Sequence, residues 1–145
     1  MGQQHFGRGI IAENPSVILV DTSVIVAWLD RSHPQHRACL AAIEYWAQRD
    51  QLAVSSVTCG ELAAGGRTRD AVEEDLRDFE ILPLDMNAAW RAGLAFRTYR
   101  RKSTDNPVLP DFFIRAQAAV RNVRHLTNDR LRTQAFSDVD FEFVN

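Results

Sequence analysis

Residues 17–20, VILV, constrain this chain more than any other stretch, because an acid and two hydroxyls, Asp21, Thr22 and Ser23, follow at once before apolar residues resume at 24–29, VIVAWL. A short continuous apolar run rich in β-branched residues is the pattern of a strand covered on both faces, as in a parallel sheet. Weaker runs of the same kind stand at 52–56, 79–84, 124–128 and 141–144. Between them, residues 33–49 place Ala38, Ala41, Ala42, Tyr45 and Trp46 on one side at helical spacing. Residues 86–99 do the same with Ala89, Trp90, Gly93, Leu94 and Phe96. Strands alternating with amphipathic helices predict an α/β domain with a mostly parallel central sheet flanked by helices. In such sheets ligands bind beyond the carboxyl ends of the strands, which is where Asp21 falls.

The bulk numbers restrict the function classes. At 145 residues and 46% apolar content the chain is expected to form one domain, spanning 17–145, after a flexible N-terminal extension at 1–16. The first sixteen residues lack the apolar stretch of a secretory signal, and no run is long enough to span a membrane, so a soluble cytoplasmic protein is expected. Cys39 and Cys59 lack metal-type spacing and fall in helix-like segments, which predicts reduced thiols. The net charge of −2 hides an asymmetry. Residues 1–85 carry 7 basic and 13 acidic groups, whereas residues 86–145 carry 10 basic and 6 acidic. Most of the cations are Arg, which suits forked contacts to phosphate.

Four acids are placed to arrive at one edge of the predicted sheet. Asp21 ends the first strand, Glu61 lies shortly after the second, Asp111 opens a helix after Pro110, and Asp129 follows the strand at 124–128. Each has a structural reading: Asp21 as an N-cap, Thr58 and Glu61 as a capping box, Asp111 at the positive end of a helix dipole, and Asp129 as the cap of a final helix. Gathered at one rim, however, four carboxylates repel one another and call for a cation.

ILVDTSVIVAWL (18–29), VSSVTCGEL (54–62), LPDFFIRAQAAV (109–120) and LTNDR (126–130), in that order and at those separations, resemble the four acidic motifs of PIN-domain nucleases, especially the VapC-type toxins of prokaryotic toxin–antitoxin pairs. The resemblance implies a three-layer PIN-like fold. It also implies that Asp21, Glu61, Asp111 and Asp129 hold a divalent metal and carry catalysis, with Ser23 and Thr127 as supporting hydroxyls. A cognate antitoxin protein, a homodimer and an RNA substrate follow from the same resemblance. The sequence departs from the family after DFFI, where relatives often continue with a small residue, Ala, His and Ala, and Arg115 and Gln117 stand here at the positions of the small residue and the His.

Oxygen-only ligands favour Mg²⁺, with Mn²⁺ as substitute, and such a metal supports phosphodiester hydrolysis. His33 and His36 read as a surface pair rather than zinc ligands. The sequence offers no Ser-His-Asp or Cys-His set, and Asp21 lacks the second Asp two residues on that an aspartyl-phosphate phosphatase needs. Arg100, Arg101 and Lys102, just before Asp111, form a candidate RNA track together with Arg115; the alternative is a helix C-terminus whose cations favour the dipole. Two other functions stay open at this point: a DNA-directed or RNA-processing nuclease on the same scaffold, and a non-catalytic interaction module whose acids are helix caps.

Overall fold

The computed structural model describes residues 16–102 and 107–145. The expected extension at 1–16 lies almost wholly outside the described residues, as do positions 103–106. The elements follow in the order β1 Val17–Val20, α1 Thr22–Leu29, α2 His36–Ala47, β2 Gln51–Ser55, α3 Ser56–Ala64, α4 Arg69–Asp75, β3 Glu80–Leu82, α5 Met86–Lys102, α6 Leu109–Arg121, β4 Arg124–Thr127 and β5 Phe141–Phe143, with a 3-10 turn at Thr133–Phe136 before the last strand. All five expected strands are present. They form one sheet in the order β3-β2-β1-β4-β5, parallel throughout.

The continuous apolar run makes β1 the central strand. Ile18, Leu19 and Val20 are all fully buried, and β1 pairs with β2 on one side and β4 on the other. Alternation along the strand divides the core into two layers. Ile18 and Val20 join Val24, Trp28, Ile43, Leu62 and Val72 from helices α1 to α4 and Leu76 just after α4, while Leu19 joins Ala53, Leu82, Ile114 and Ala118 on the α6 side. The result is the expected helix–sheet–helix sandwich. The chain leaves β1 toward β2 and returns to its other side as β4, so the strand order reverses at the carboxyl end of β1.

Helix faces depart from the sequence reading. In α2 the buried stripe is Cys39, Ile43 and Ala47, leaving Ala41 and Tyr45 exposed. In α5 it is Ala88 and Ala92, whereas Trp90 is 68% and Leu94 51% exposed. The reason is the partner: α5 packs on α6 rather than on the sheet, and two alanines one turn apart permit a close approach of the helices. Phe96 and Tyr99 add edge-on contacts to Phe112 at 5.3 and 5.7 Å between ring centroids.

The turns that carry the site are locally encoded. Ser55, at the end of β2, accepts a hydrogen bond from the Val57 amide and caps α3, so the cap lies three residues before the Thr58 position expected from the capping-box pattern. Gly65 ends α3, and Gly66 follows in the left-handed region at φ 97°. Ser55→Ala is expected to lower stability by about 1 kcal/mol, seen as a fall of roughly 3 °C in the melting temperature.

Candidate active site at the carboxyl edge of the sheet

Asp21 is fixed by both neighbouring elements. Its amide donates to the Leu126 carbonyl of β4 at 2.8 Å, and its own carbonyl accepts from Val24 and Ile25 in the first turn of α1. One carboxylate oxygen, Oδ1, accepts from the Thr22 amide at 2.9 Å, and Oδ2 accepts from the Thr127 hydroxyl at 2.7 Å. Asp21 is therefore a helix cap, as one reading held. The cap and ligand readings coexist, because the same bonds orient the carboxylate at the strand exit. His125 lies next to it, fully buried, with Nδ1 donating to the Leu19 carbonyl and Nε2 3.9 Å from Asp21 Oδ2. Burial pushes the imidazole pKa down against the opposing pull of the Asp21 charge, which keeps the ring neutral.

The other acids come from different elements. Glu61, on α3, accepts from the Thr22 hydroxyl at 2.8 Å, and that hydroxyl also pairs with Thr58 at 2.7 Å. Asp111, in the first turn of α6, pairs with Arg132 at 3.1 Å. Its pKa is raised to about 6, first by burial and next by the charge of Asp21; Glu61 adds to the rise, while Arg115 and Arg132 oppose it. The fold has thus brought Asp21, Glu61 and Asp111 into one electrostatic cluster. Asp129 is bonded within its own turn: Oδ1 accepts from the Leu131 amide at 2.8 Å, and Oδ2 lies 3.5 Å from the Arg115 guanidinium. It closes a turn instead of capping a final helix.

The supporting residues divide similarly. Thr127 links two acids, donating to Asp21 and accepting from the Asp129 amide at 3.1 Å. Ser23 Oγ is buried with no hydrogen-bond partner among the described residues. Arg115, expected on an RNA track, is only 1% exposed. Its Nη1 donates to the Leu131 carbonyl at 2.9 Å, so it holds the turn after β4 from inside and has no surface with which to meet a polyanion. Arg100, Arg101 and Lys102 are exposed in the last turn of α5, where they also complement the helix dipole. His33 and His36 bond locally, to the Gln35 amide and the Ala27 carbonyl. Both cysteines are free, in α2 and α3. Sequence reasoning missed His125 beside Asp21 and the Arg132–Asp111 pair, since neither a single His in a strand nor an Arg in a turn carries a periodic signal.

Three carboxylates, one of them with its pKa raised by burial and then by its acidic neighbours, and an orphaned buried hydroxyl make a donor set that suits a hard divalent cation. Among the described residues, no group of three or more His, Cys, Asp and Glu side chains already stands in a geometry that holds a metal ion. The reason is visible in the hydrogen bonds. Oxygens of all four acids are engaged by hydroxyls, amides or guanidinium groups of the protein itself.

The parallel five-stranded sheet, with acids at its carboxyl edge, defines a class of α/β protein in which several strand ends and helix starts converge on one site. The PIN domain model matches residues 18–142, and the chain belongs to that family. No curated protein matches it by sequence. Among solved structures, the chain is similar to VapBC2 of Rickettsia felis bound to a DNA fragment from its promoter, with TM-score 0.69 and 18% identity over 89% of this chain and 99% of the other. VapBC-5 of Mycobacterium tuberculosis, a member of the VapBC family of toxin–antitoxin systems, is similar with TM-score 0.59 and 27% identity over 90% and 99% of the two chains. VapC20 of Mycobacterium tuberculosis, a toxin that cleaves the sarcin–ricin loop, gives TM-score 0.59 and 17% identity over 82% and 95%. The family read from the four motifs is the family whose model matches residues 18–142.

A carboxyl titrating near 6 when folded and near 3.8 when unfolded binds more protons in the folded state between those values, so its contribution to stability falls as pH rises through that window. Asp111→Asn is expected to melt higher than the parent at pH 8 in the absence of metal, with the gap closing toward pH 4. Thermal denaturation across that range checks it. A parent protein that is the more stable of the two at pH 8 would contradict the repulsive cluster.

Proposed function

We propose that this PIN-family protein is a divalent-metal-dependent endoribonuclease acting as the toxin of a toxin–antitoxin pair. The observation that carries the proposal is the convergence of Asp21, Glu61 and Asp111, with the carboxyl of Asp111 held near 6 by burial and by the other two charges. These three would hold the metal, Mg²⁺ or in its place Mn²⁺. Asp129, expected as a fourth ligand, has its described role in the turn beside them. When bound, a metal held by carboxylates supplies a lowered pKa for water and a positive charge facing a phosphodiester.

The chain's own groups prepare the site. Thr127 and the Thr22 amide keep Asp21 at one angle, and the Thr22 hydroxyl orients Glu61. Neutral His125 prevents a competing ion pair beside Asp21, because an uncharged ring leaves the carboxylate its full charge. Solved relatives that are toxin–antitoxin complexes support an antitoxin partner. The exposed face of α5, with Met86, Trp90 and Leu94, supplies an apolar stripe suited to the proposed homodimer. No described helix is long and apolar enough to cross a membrane.

Purified protein incubated with RNA is expected to cut it in Mg²⁺ or Mn²⁺, to stop in EDTA, and to lose most cleavage on Asp21→Asn. Metal is also expected to raise the melting temperature, since a ligand at a hundred times its dissociation constant stabilises the folded form by roughly 2.7 kcal/mol. Cleavage that survives EDTA would reject the mechanism. Cleavage of DNA in place of RNA would favour the other nuclease reading, and an inert protein with unchanged melting would favour the interaction module.

The basic end of α5 generates a separate expectation. If Arg100, Arg101 and Lys102 track phosphates, replacing all three with Ala weakens RNA binding about equally across single-stranded sequences. The dependence of log affinity on log salt then flattens by roughly 0.7 for each lost contact, or about two in total. Binding measured at several salt concentrations in an Asp111→Asn background decides this, and a parental slope would leave these cations the role of finishing the helix.

A further inference from the structure

The turn after β4 holds a backbone conformation that L side chains rarely adopt. Among the described residues, Asn122 and Arg132 are the two non-glycine positions with φ in the left-handed region, at 54° and 65°. Asn122 ends α6, where that conformation is ordinary for Asn. Arg132 stands at the start of the 3-10 turn, its carbonyl accepting from the Ala135 amide at 3.2 Å, and Arg has no such intrinsic preference for this conformation. A residue held in a sparsely populated region persists when its surroundings over-determine it, and such residues gather at functional sites.

The surroundings are explicit here. Leu131, immediately before Arg132, is held at both ends: its carbonyl accepts from Arg115 at 2.9 Å and its amide donates to Asp129 at 2.8 Å. The Asp129 amide in turn donates to Thr127, which donates to Asp21. This chain of bonds connects the buried Arg115 and the first acid of the site to a single turn. Its outcome is that Arg132 Nη1 stands 3.1 Å from Asp111 Oδ2, with the two side chains 13% and 27% exposed.

We propose that Arg132 is the resident cation of the site: it occupies Asp111 in the metal-free protein and competes with a divalent ion for that carboxylate, while Arg115 acts as the positioning residue that holds its turn in place. The inference deepens the metal-site reading and rests on it. An oxygen that accepts from a guanidinium has one lone pair committed, and a fixed positive charge beside Asp111 opposes the entry of a second cation. Metal uptake then requires Arg132 to leave Asp111. Removing Arg132 should consequently tighten metal binding, which is the reverse of what losing a merely structural side chain would do.

The test is calorimetric titration of Mn²⁺ into purified metal-free protein, comparing the parent with Arg132→Gln, Arg132→Gly, Arg132→Lys and Arg130→Gln. Arg132→Gln is expected to bind Mn²⁺ about fivefold more tightly, the scale of a partly exposed ion pair. Arg132→Gly removes the same cation and accepts the left-handed backbone freely, so it should show the same gain even if the Gln variant folds poorly. Arg132→Lys keeps the charge and should stay within about twofold of the parent. Arg130, whose guanidinium lies 4.1 Å above the Phe143 ring, serves as the control for general charge, and its variant should also stay within about twofold. Unchanged or weaker binding in both Arg132→Gln and Arg132→Gly, or an equal gain in Arg130→Gln, would overturn the role of Arg132. A parent protein that takes up no Mn²⁺ would overturn the metal reading itself, which is a different and recognisable failure.

Discussion

Everything at the site depends on how the central strand ends. Asp21 stands at the last position before β1 gives way to α1, with its amide bonded to β4 and its carboxylate shared between the α1 amide and Thr127. A carboxylate with that little freedom cannot turn away from its neighbours. Glu61 and Asp111 are then placed by helices that start at the same rim, because every strand of a parallel sheet ends at the carboxyl edge and each connection must run back from that edge to the opposite one before the next strand begins. The repulsion that follows is a consequence of topology.

The protein answers this repulsion with cations of its own. Arg132 pairs with Asp111, and buried Arg115 faces Asp129, so the acidic rim already contains two guanidinium groups. Placing Arg115 in the interior is costly unless its hydrogen bonds are satisfied, and the Leu131 carbonyl and Asp129 meet that requirement in part. The same bonds order the turn that carries Arg132. Core stability and site geometry are consequently linked through a few side chains that the rest of the fold does not require.

How much of this could be read beforehand depended on which partner an element meets. The strands were legible because β1, β2 and β4 are covered on both faces, so their apolar runs are continuous and independent of detail elsewhere. The faces of α2 and α5 were not. Trp90 and Leu94 look like core residues on a helical wheel, yet α5 packs on α6 through small alanines and leaves the large side chains outside. Helical spacing shows that a stripe exists but not which stripe meets a neighbour. In the same way the motif around Thr58 reads as a capping box, although Ser55 makes the cap and Thr58 is drawn to Thr22.

The sequence by itself determined the alternation of strands and helices, the α/β fold of the PIN family, and the arrival of Asp21, Glu61 and Asp111 at one edge, because each follows from local patterning and the handedness of parallel connections. Only the tertiary structure decided which charges pair. Arg115 reads as a surface cation in the sequence and is buried in the fold, and Arg132 meets an acid twenty-one residues away. Asp129 carries the motif of a ligand and is taken up by a turn. Ion pairing depends on distances of a few ångströms between side chains remote in sequence, and no periodicity along the chain encodes those distances.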